Sequence, residues 1–228
     1  MVRGTADPSP AKANRWFRLL RPVARALIHT LFAIETEGLE RLPAAGPYVL
    51  ACNHLSWFDP MVLLAALPAE PRIHFLAAAE YTVDGPWIAR FIVSKTGGVI
   101  PIDRQGHKGD RAAVVQALKV LRGGGVLGIF PEGKCGFAEG QIQPLKEGAA
   151  TFAAKTDSPV QVLGMSGTLE LYWRKRIVLK AGPLVEPREG ESQEELLARV
   201  AEAMAETVPP LHPRQPGVKR MTWLSRLF

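Results

Sequence analysis

The sequence has few cysteines and no long apolar run. Its 228 residues include two cysteines, Cys52 and Cys135, too few for a disulfide framework and without the C-x-x-C spacing of a zinc or redox site. Arginines interrupt the first apolar stretch through residues 15–25. No window therefore reaches the roughly 18 uninterrupted apolar residues that a membrane span requires. We expect a protein of a reducing compartment without structural metal or transmembrane helix.

Internal repeats and long low-complexity linkers are also missing. With 47% apolar and 22% charged residues the composition is that of an ordinary globular protein, and Pro-rich stretches occur only near the two ends. This pattern predicts one folded body, residues 35–210. A basic amphipathic segment, residues 1–34, precedes it and a basic aromatic tail, residues 211–228, follows it.

The positive charge is concentrated in those two terminal segments. Residues 1–34 contain six basic residues against one acidic residue, and residues 212–228 contain four basic residues and no acidic one. A nucleic-acid-binding protein usually carries its basic surface on the folded body, whereas these segments combine cations with aromatic residues. We expect an anionic membrane surface as partner, no nucleic acid, and a peripheral position on the cytoplasmic face of a membrane.

The N-terminal segment has the periodicity of an amphipathic helix. Its apolar residues recur at steps of three and four, and the arginines fall mostly on the other side of the helix. The apolar positions are Phe17, Leu20, Ala24, Leu27, Ile28, Leu31 and Phe32. The pattern fits a helix lying in the lipid interface, and it equally fits a helix packed on its own domain with a solvated basic face.

Strand and helix patterns alternate through the body, which predicts an α/β fold with a largely parallel central sheet flanked by helices. The predicted strands are Tyr48–Cys52, 73–77, 98–102, 126–130, 160–165 and 177–181. The predicted helices are 60–67, 87–94, 111–121, 147–155 and Gln193–Thr207. Ligands of such sheets bind beyond the carboxyl ends of the strands. Three predicted strands are followed there by polar residues.

The first of these polar groups is a histidine followed five residues later by an aspartate, His54 and Asp59. A carboxylate that fixes the tautomer of an imidazole makes a general base, able to take a proton from a substrate hydroxyl with a gain of ~10²–10⁴ in rate. Asp59 precedes Pro60, so an N-cap of the next helix is the alternative role. His54 alone would also suit a structural loop.

The other two groups contain residues that bind anions. Arg104 follows the strand 98–102 and offers a planar fork of donors for a phosphate or carboxylate, although an Asp–Arg surface pair is an alternative. Glu132, Gly133 and Lys134 follow the strand 126–130. The glutamate would accept hydrogen bonds from substrate hydroxyls and the lysine would meet an anion, unless the segment is a plain solvated turn.

Together these blocks resemble one known family. The sequence is similar to the PlsC-type glycerophospholipid acyltransferases in its Asn53-His54 with Asp59, its glycine-strand-Arg104 block and its Phe-Pro-Glu-Gly at 130–133, over roughly residues 35–185. The resemblance implies transfer of a fatty acyl group from acyl-CoA or acyl-carrier protein to a hydroxyl of a lysophospholipid, with no cofactor or metal. It assigns His54 as the base and Asp59 as its orienter, Arg104 to the anionic head group, and Glu132 and Gly133 to the acceptor pocket.

The sequence departs from the family pattern at two positions. Lys134-Cys135-Gly136 stands where members have Thr-Arg-Ser or an arginine directly after the glycine, and Val160-Gln161-Val162 replaces Val-Pro-Val. A lysine offers a point charge in place of an arginine fork, so the head group of the acceptor stays open.

We expect a single-step transfer, and two other hypotheses remain. Cys135 activated by His54 would form an acyl-enzyme, as in a thioesterase. A non-catalytic peripheral membrane protein is the third hypothesis.

Overall fold

The computed structural model describes residues 11–79, 87–102, 107–210 and 220–226. Their central feature is a seven-stranded sheet in the order β1-β7-β6-β2-β5-β3-β4. Five neighbouring strands run parallel, and β7 pairs antiparallel with β6, so that β7 and β1 run opposite to the rest. The strands are β1 Ala33–Glu37, β2 Tyr48–Cys52, β3 Ile73–Ala78, β4 Val99–Ile102, β5 Val126–Ile129, β6 Val160–Ser166 and β7 Arg176–Val185.

Helices cover both faces of this sheet, as expected for strands whose sequence is apolar on both sides. They are α1 Arg15–Leu31, α2 Asp59–Ala66, α3 Trp87–Thr96, α4 His107–Arg122, α5 Gly148–Thr156 and α6 Gln193–Thr207, with 3₁₀ turns at Leu39–Arg41 and Thr222–Arg226. No helix in the described ranges has the length and apolar character needed to cross a bilayer.

The sheet divides the core into two layers, and the central strand β2 contributes side chains to both. Its residues point alternately to opposite faces. Val49 and Ala51 belong to a cluster with α4, α5 and α6, whereas Leu50 and Cys52 belong to a cluster with α2 and the end of α1. All five residues of β2 are buried, and β2 is flanked by β5 and β6. Its carboxyl end is therefore held on both sides, which fixes the residues that follow it.

The α/β fold predicted from the sequence is confirmed, and two features of the sheet were missed. All six predicted strands are present to within a few residues at their ends, but β1 was not predicted, and neither was the reversed direction of β7. Edge strand β1 reads Ala-Ile-Glu-Thr-Glu, without a run of apolar residues. The predicted N-terminal helix is present as α1.

Candidate active site

His54 and Asp59 form a pair just beyond the carboxyl end of β2. Nδ1 of His54 lies 2.8 Å from Oδ2 of Asp59, so the ring donates a hydrogen bond from Nδ1 to this oxygen. The chain leaves β2 at Cys52, turns through the six residues 53–58 and enters α2 at Asp59. The spacing predicted from the sequence therefore produces a hydrogen-bonded imidazole and carboxylate. Nε2 is left as the nitrogen that can accept a proton.

The Asp59 side chain is fully buried and its two oxygens have different partners. Oδ2 also accepts hydrogen bonds from the backbone N–H groups of Leu55 at 2.6 Å and Ser56 at 2.9 Å, and Oδ1 accepts one from the Thr168 hydroxyl at 2.5 Å. The helix α2 receives no side-chain cap. Asp59 is therefore not its N-cap, which corrects the alternative role; its carboxylate reaches back to the loop that carries His54.

Asn53 ties this loop to the neighbouring strand. Its fully buried amide donates from Nδ2 to the carbonyl of Met165 at 2.9 Å and accepts at Oδ1 from the N–H of Met165 at 2.7 Å. A side-chain amide with both groups paired to one backbone position fixes the chain direction at the end of β2. His54 thus starts from a rigid backbone.

The His54 ring is enclosed on three sides. Phe130 stacks on it with ring centroids 4.2 Å apart, Asp59 holds Nδ1, and Sγ of Cys135 lies 3.4 Å from Nε2. Burial alone would lower the pKa of His54, but the hydrogen bonds and charges of Asp59 and Cys135 outweigh it and raise the pKa to about 9. The free protein at neutral pH therefore holds this ring largely protonated.

Glu132 reaches the same loop from the end of β5. Its oxygens accept from two backbone N–H groups, His54 at 2.9 Å and Gln143 at 3.0 Å, and its side chain is almost completely buried. Burial raises the pKa of this carboxyl against the lowering effect of its two backbone donors. The sequence analysis placed Glu132 against the substrate, and that role stays a prediction. In the structure, the Glu132 carboxyl group links the backbone of His54 to the loop 131–147 through its two hydrogen bonds.

Gly133 and Lys134 follow Glu132 in this loop. Gly133 has φ +69°, a backbone conformation that favours glycine, and a Cβ there would meet only the movable end of the Lys146 side chain. Lys134 is exposed, with its ammonium 5.8 Å from the centre of the Phe137 ring. The next residues return to the site, where the N–H of Gly136 donates to the His54 carbonyl at 2.7 Å.

Arg104 lies outside the described residues, so its predicted contact with an acceptor head group stays a prediction. The described part of β4 ends at Ile102, next to β3 at the edge of the sheet. Among the described residues, no group of three His, Cys, Asp or Glu side chains is placed to hold a metal ion.

An imidazole with one nitrogen fixed by a buried carboxylate and the other near the surface can act as a general base. The His54 side chain is 17% exposed, and the residue next to Nε2, Cys135, is itself exposed. The model of the acyltransferase family matches residues 33–166, which is more than half of the chain and includes this site. The chain belongs to the PlsC-type acyltransferase family. As a member of it, this protein is an O-acyltransferase.

Named relatives agree with this assignment. The acyltransferase is 30% identical over 153 residues to the 1-acyl-sn-glycerol-3-phosphate acyltransferase of Bacillus subtilis (strain 168), a match covering 65% of this chain and 72% of that protein. It is 30% identical over 149 residues to the human 1-acyl-sn-glycerol-3-phosphate acyltransferase alpha, a match covering 62% of this chain and 48% of that protein.

A solved structure supports the fold. The crystal structure of the 1-acyl-sn-glycerophosphate acyltransferase PlsC from Thermotoga maritima superposes on this acyltransferase with a TM-score of 0.65 and 21% identity. The match covers 83% of this chain and 77% of that one. At this identity the similarity concerns the fold alone.

Two residues of the site were missed in the sequence. Thr168 was not predicted because it follows β6, 109 residues from the carboxylate that it contacts, and a lone threonine carries no local pattern. Asn53 was noticed only as a neighbour of His54, and its pairing with Met165 depends on β6 lying beside β2. Both contacts depend on which strands are neighbours in the sheet, and the sequence alone did not predict that order.

Proposed function

We propose that this acyltransferase moves a fatty acyl group from an acyl thioester, acyl-CoA or acyl-carrier protein, to a hydroxyl of a lysophospholipid of the 1-acylglycerol-3-phosphate type. The observation that carries the proposal is the pairing of His54 with buried Asp59 inside the segment that matches the family. Its relatives in Bacillus subtilis and human are named for transfer to this acceptor.

The proposed chemistry is general-base catalysis. Nε2 of His54 takes the proton from the acceptor hydroxyl as the oxygen attacks the thioester carbonyl, and Asp59 stabilises the imidazolium that forms. The thiolate of the donor then leaves with little help from an acid. Because the His54 pKa is about 9, substrate must bind to the small neutral fraction of the ring at pH 7 or lower this pKa on binding.

We assign the acceptor's anionic head group to Arg104 and Lys134, with Glu132 and Gly133 shaping the pocket. Lys134 is exposed on the loop that also carries Gly136 against His54, so its ammonium would leave the exposed Phe137 ring to meet an anion near the site. A lysine in place of an arginine fork suits a less strictly oriented phosphate.

The test compares His54→Ala and Asp59→Asn with wild type, using labelled acyl-CoA, a panel of lyso-lipids and mass spectrometry of the products. We expect each variant to lose ~10²–10⁴ in kcat. Asp157→Asn is the matched control, because Asp157 is exposed and has φ 49°, which asparagine tolerates. Transfer by His54→Ala at the wild-type rate would refute the mechanism. Absence of turnover in the wild type and in every variant would instead favour the hypothesis of a non-catalytic membrane protein.

A cysteine-dependent thioesterase is a second candidate, favoured by one contact. Sγ of Cys135 lies 3.4 Å from Nε2 of His54, so Cys135, His54 and Asp59 stand in the order of a nucleophile, a base and an orienter. Cys135→Ser separates the two candidates. Retained transfer supports the direct mechanism, whereas lost turnover together with an acyl thioester trapped on the wild-type protein supports the nucleophile.

We further propose a peripheral position at the cytoplasmic face of an anionic membrane. The helix α1 exposes Leu19, Val23 and Leu27 at steps of four, which places them in one row on its outer face. The exposed arginines Arg15 and Arg25 lie on the same helix. Apolar side chains flanked by cations are suited to the interface of an anionic bilayer, where a lyso-lipid acceptor is concentrated.

A further inference from the structure

The described end of the chain, residues 220–226, lies against the loop that carries the His54–Asp59 pair. Trp57 stands between these two residues in sequence, and its indole Nε1–H donates to the carbonyl of Leu224 at 3.1 Å. The Leu224 side chain also packs on the core cluster that contains α2. The C-terminal partner of this contact lies outside the family match, which ends at residue 166.

The same segment holds the second loop that reaches Asp59. Thr168 donates to Oδ1 of Asp59, and three residues later the N–H of Leu171 donates to the Ser225 hydroxyl oxygen at 2.7 Å. That hydroxyl lies 3.4 Å from the Leu171 carbonyl, to which it donates. Further along, the N–H of Trp173 donates to the Arg220 carbonyl at 2.9 Å.

Asp59 is thus held by two loops, and both loops are hydrogen-bonded to the same C-terminal segment. Oδ2 depends on the loop 53–58, and Oδ1 depends on the loop that follows β6. Both loops are joined to residues 220–226, the first through Trp57 and the second through Leu171. Both hydrogen bonds join the segment to the loops and not to the two side chains of the pair, so through them the segment acts on the position of Asp59.

We propose that residues 220–226 act as a C-terminal brace that positions Asp59 for catalysis, with Trp57 and Ser225 as positioning residues. The proposal rests on the proposed role of the His54–Asp59 pair as the base. A displacement of about 1 Å in a catalytic group costs up to ~10²-fold in rate, so loosening either loop lowers the rate of the chemical step. Binding of the acceptor, which would involve other side chains, is affected much less.

The test uses two single-side-chain variants and two matched controls, assayed with a short-chain, water-soluble acceptor so that membrane binding does not enter. Trp57→Phe keeps an aromatic ring but removes the donor to Leu224, and Ser225→Ala removes the partner of Leu171. We expect kcat to fall about tenfold in each, with KM within about twofold. Ser225→Thr, which keeps the hydroxyl, restores most of kcat, and Trp223→Phe leaves it unchanged because Trp223 is 58% exposed.

A pH profile separates positioning from a general loss of stability. His54 faces Asp59, Cys135 and the carboxyl of Glu132, and among these Asp59 contributes most to raising its pKa. Loosening Asp59 therefore moves the acid limb of the kcat/KM profile to lower pH, toward the ordinary histidine value near 6.5. A merely less stable protein would keep the limb of the wild type. Deletion of residues 220–228 is expected to show both effects more strongly.

Two outcomes would overturn the brace. The first is that Trp57→Phe and Ser225→Ala both keep the kcat of the wild type and the acid limb of its kcat/KM profile. The second is that kcat falls but the acid limb does not move in either variant. If the deletion variant fails to fold, these two substitutions decide. His54→Ala, measured in parallel, keeps the proposals apart: full activity there refutes the base, whereas an inactive His54→Ala beside unaffected brace variants refutes the brace alone.

Discussion

Asp59 accepts four hydrogen bonds, from the His54 ring, two backbone N–H groups and the Thr168 hydroxyl. A fully buried carboxylate is stable only when its lone pairs are satisfied in this way. The two donors from the preceding loop are backbone N–H groups, which every side-chain substitution except proline leaves in place. Thr168 is therefore the side chain through which the surroundings of Asp59 can be altered without touching His54.

We expect Thr168→Val to lower kcat about tenfold and the free energy of unfolding by ~1–3 kcal/mol, because it leaves Oδ1 of a buried carboxylate without its donor. Valine has nearly the shape of threonine, so packing is kept. Steady-state kinetics and urea unfolding measure the two effects. Thr168→Ser, which keeps a hydroxyl, is the control, and a valine variant with wild-type values for both would contradict the assigned contact.

Part of this site can be predicted from the sequence because it is local. The five-residue step from His54 to Asp59 fits inside one loop, and the Phe-Pro-Glu-Gly block identifies a strand end with an unusual turn. Thr168, the Met165 backbone and the Ser225 hydroxyl reach the site through the order of the strands and the path of the chain end. No spacing of residues in the sequence predicts these contacts between distant segments.

At the scale of elements, the contacts of α1 show that one side of this helix packs on its own domain, which its periodicity alone could not establish. Arg21 donates to the carbonyls of Leu64 and Leu67 at the end of α2, and Arg18 pairs with Glu70, so these two arginines bind the body of the protein. Ile28 and the following Phe32 are buried in the core. Deletion of residues 1–34 would therefore damage the fold, and surface substitutions are the sharper test of membrane binding.

The row Leu19, Val23 and Leu27 gives that test. Replacing all three by glutamine is expected to weaken binding to phosphatidylcholine vesicles containing phosphatidylglycerol by at least ~10²-fold, since each apolar side chain withdrawn from the interface costs roughly 1–2 kcal/mol. Vesicle sedimentation measures the change. Activity on a soluble short-chain acceptor should be kept, and Val115→Gln, an exposed valine on α4, is the control. Unchanged sedimentation of the triple variant would exclude this face as the contact.

The sheet illustrates which elements the sequence encodes. Buried strands such as β2 and β5 are short apolar runs bounded by turns, and they were predicted to within a residue. The edge strand β1 carries two glutamates and a threonine, because an edge of the sheet meets solvent. The antiparallel direction of β7 follows from a connection of nine residues after β6, too short for the crossover that a parallel pair needs.

At the scale of the whole molecule, the His54 pKa links stability to pH. Its value of about 9 lies above the ordinary value of 6.5, so the folded protein binds this proton more tightly than the unfolded chain does. The resulting stabilisation is fully present below pH 6.5 and is lost as the pH rises through 9. The neutral ring that the proposed mechanism needs is thus the less stabilising form.

We expect the free energy of unfolding of the wild type to fall by about 3 kcal/mol between pH 6.5 and pH 9.5 relative to that of His54→Gln, which lacks the titrating group. Urea unfolding at a series of pH values measures this difference. Parallel curves for the two proteins across the range would show that Asp59 and Cys135 do not hold the proton as their distances indicate.

Because β7 and β1 run opposite to the other strands, the chain leaves them at the edge of the sheet away from His54. Because β7 runs against β6, the chain that leaves Val185 emerges at the rim opposite His54, as does the turn after Glu37. Gly190 lies in that far turn with open space around it. A fluorophore or affinity tag inserted there would lie about a strand length from the chemistry, which provides a label for measuring whether the active enzyme binds vesicles.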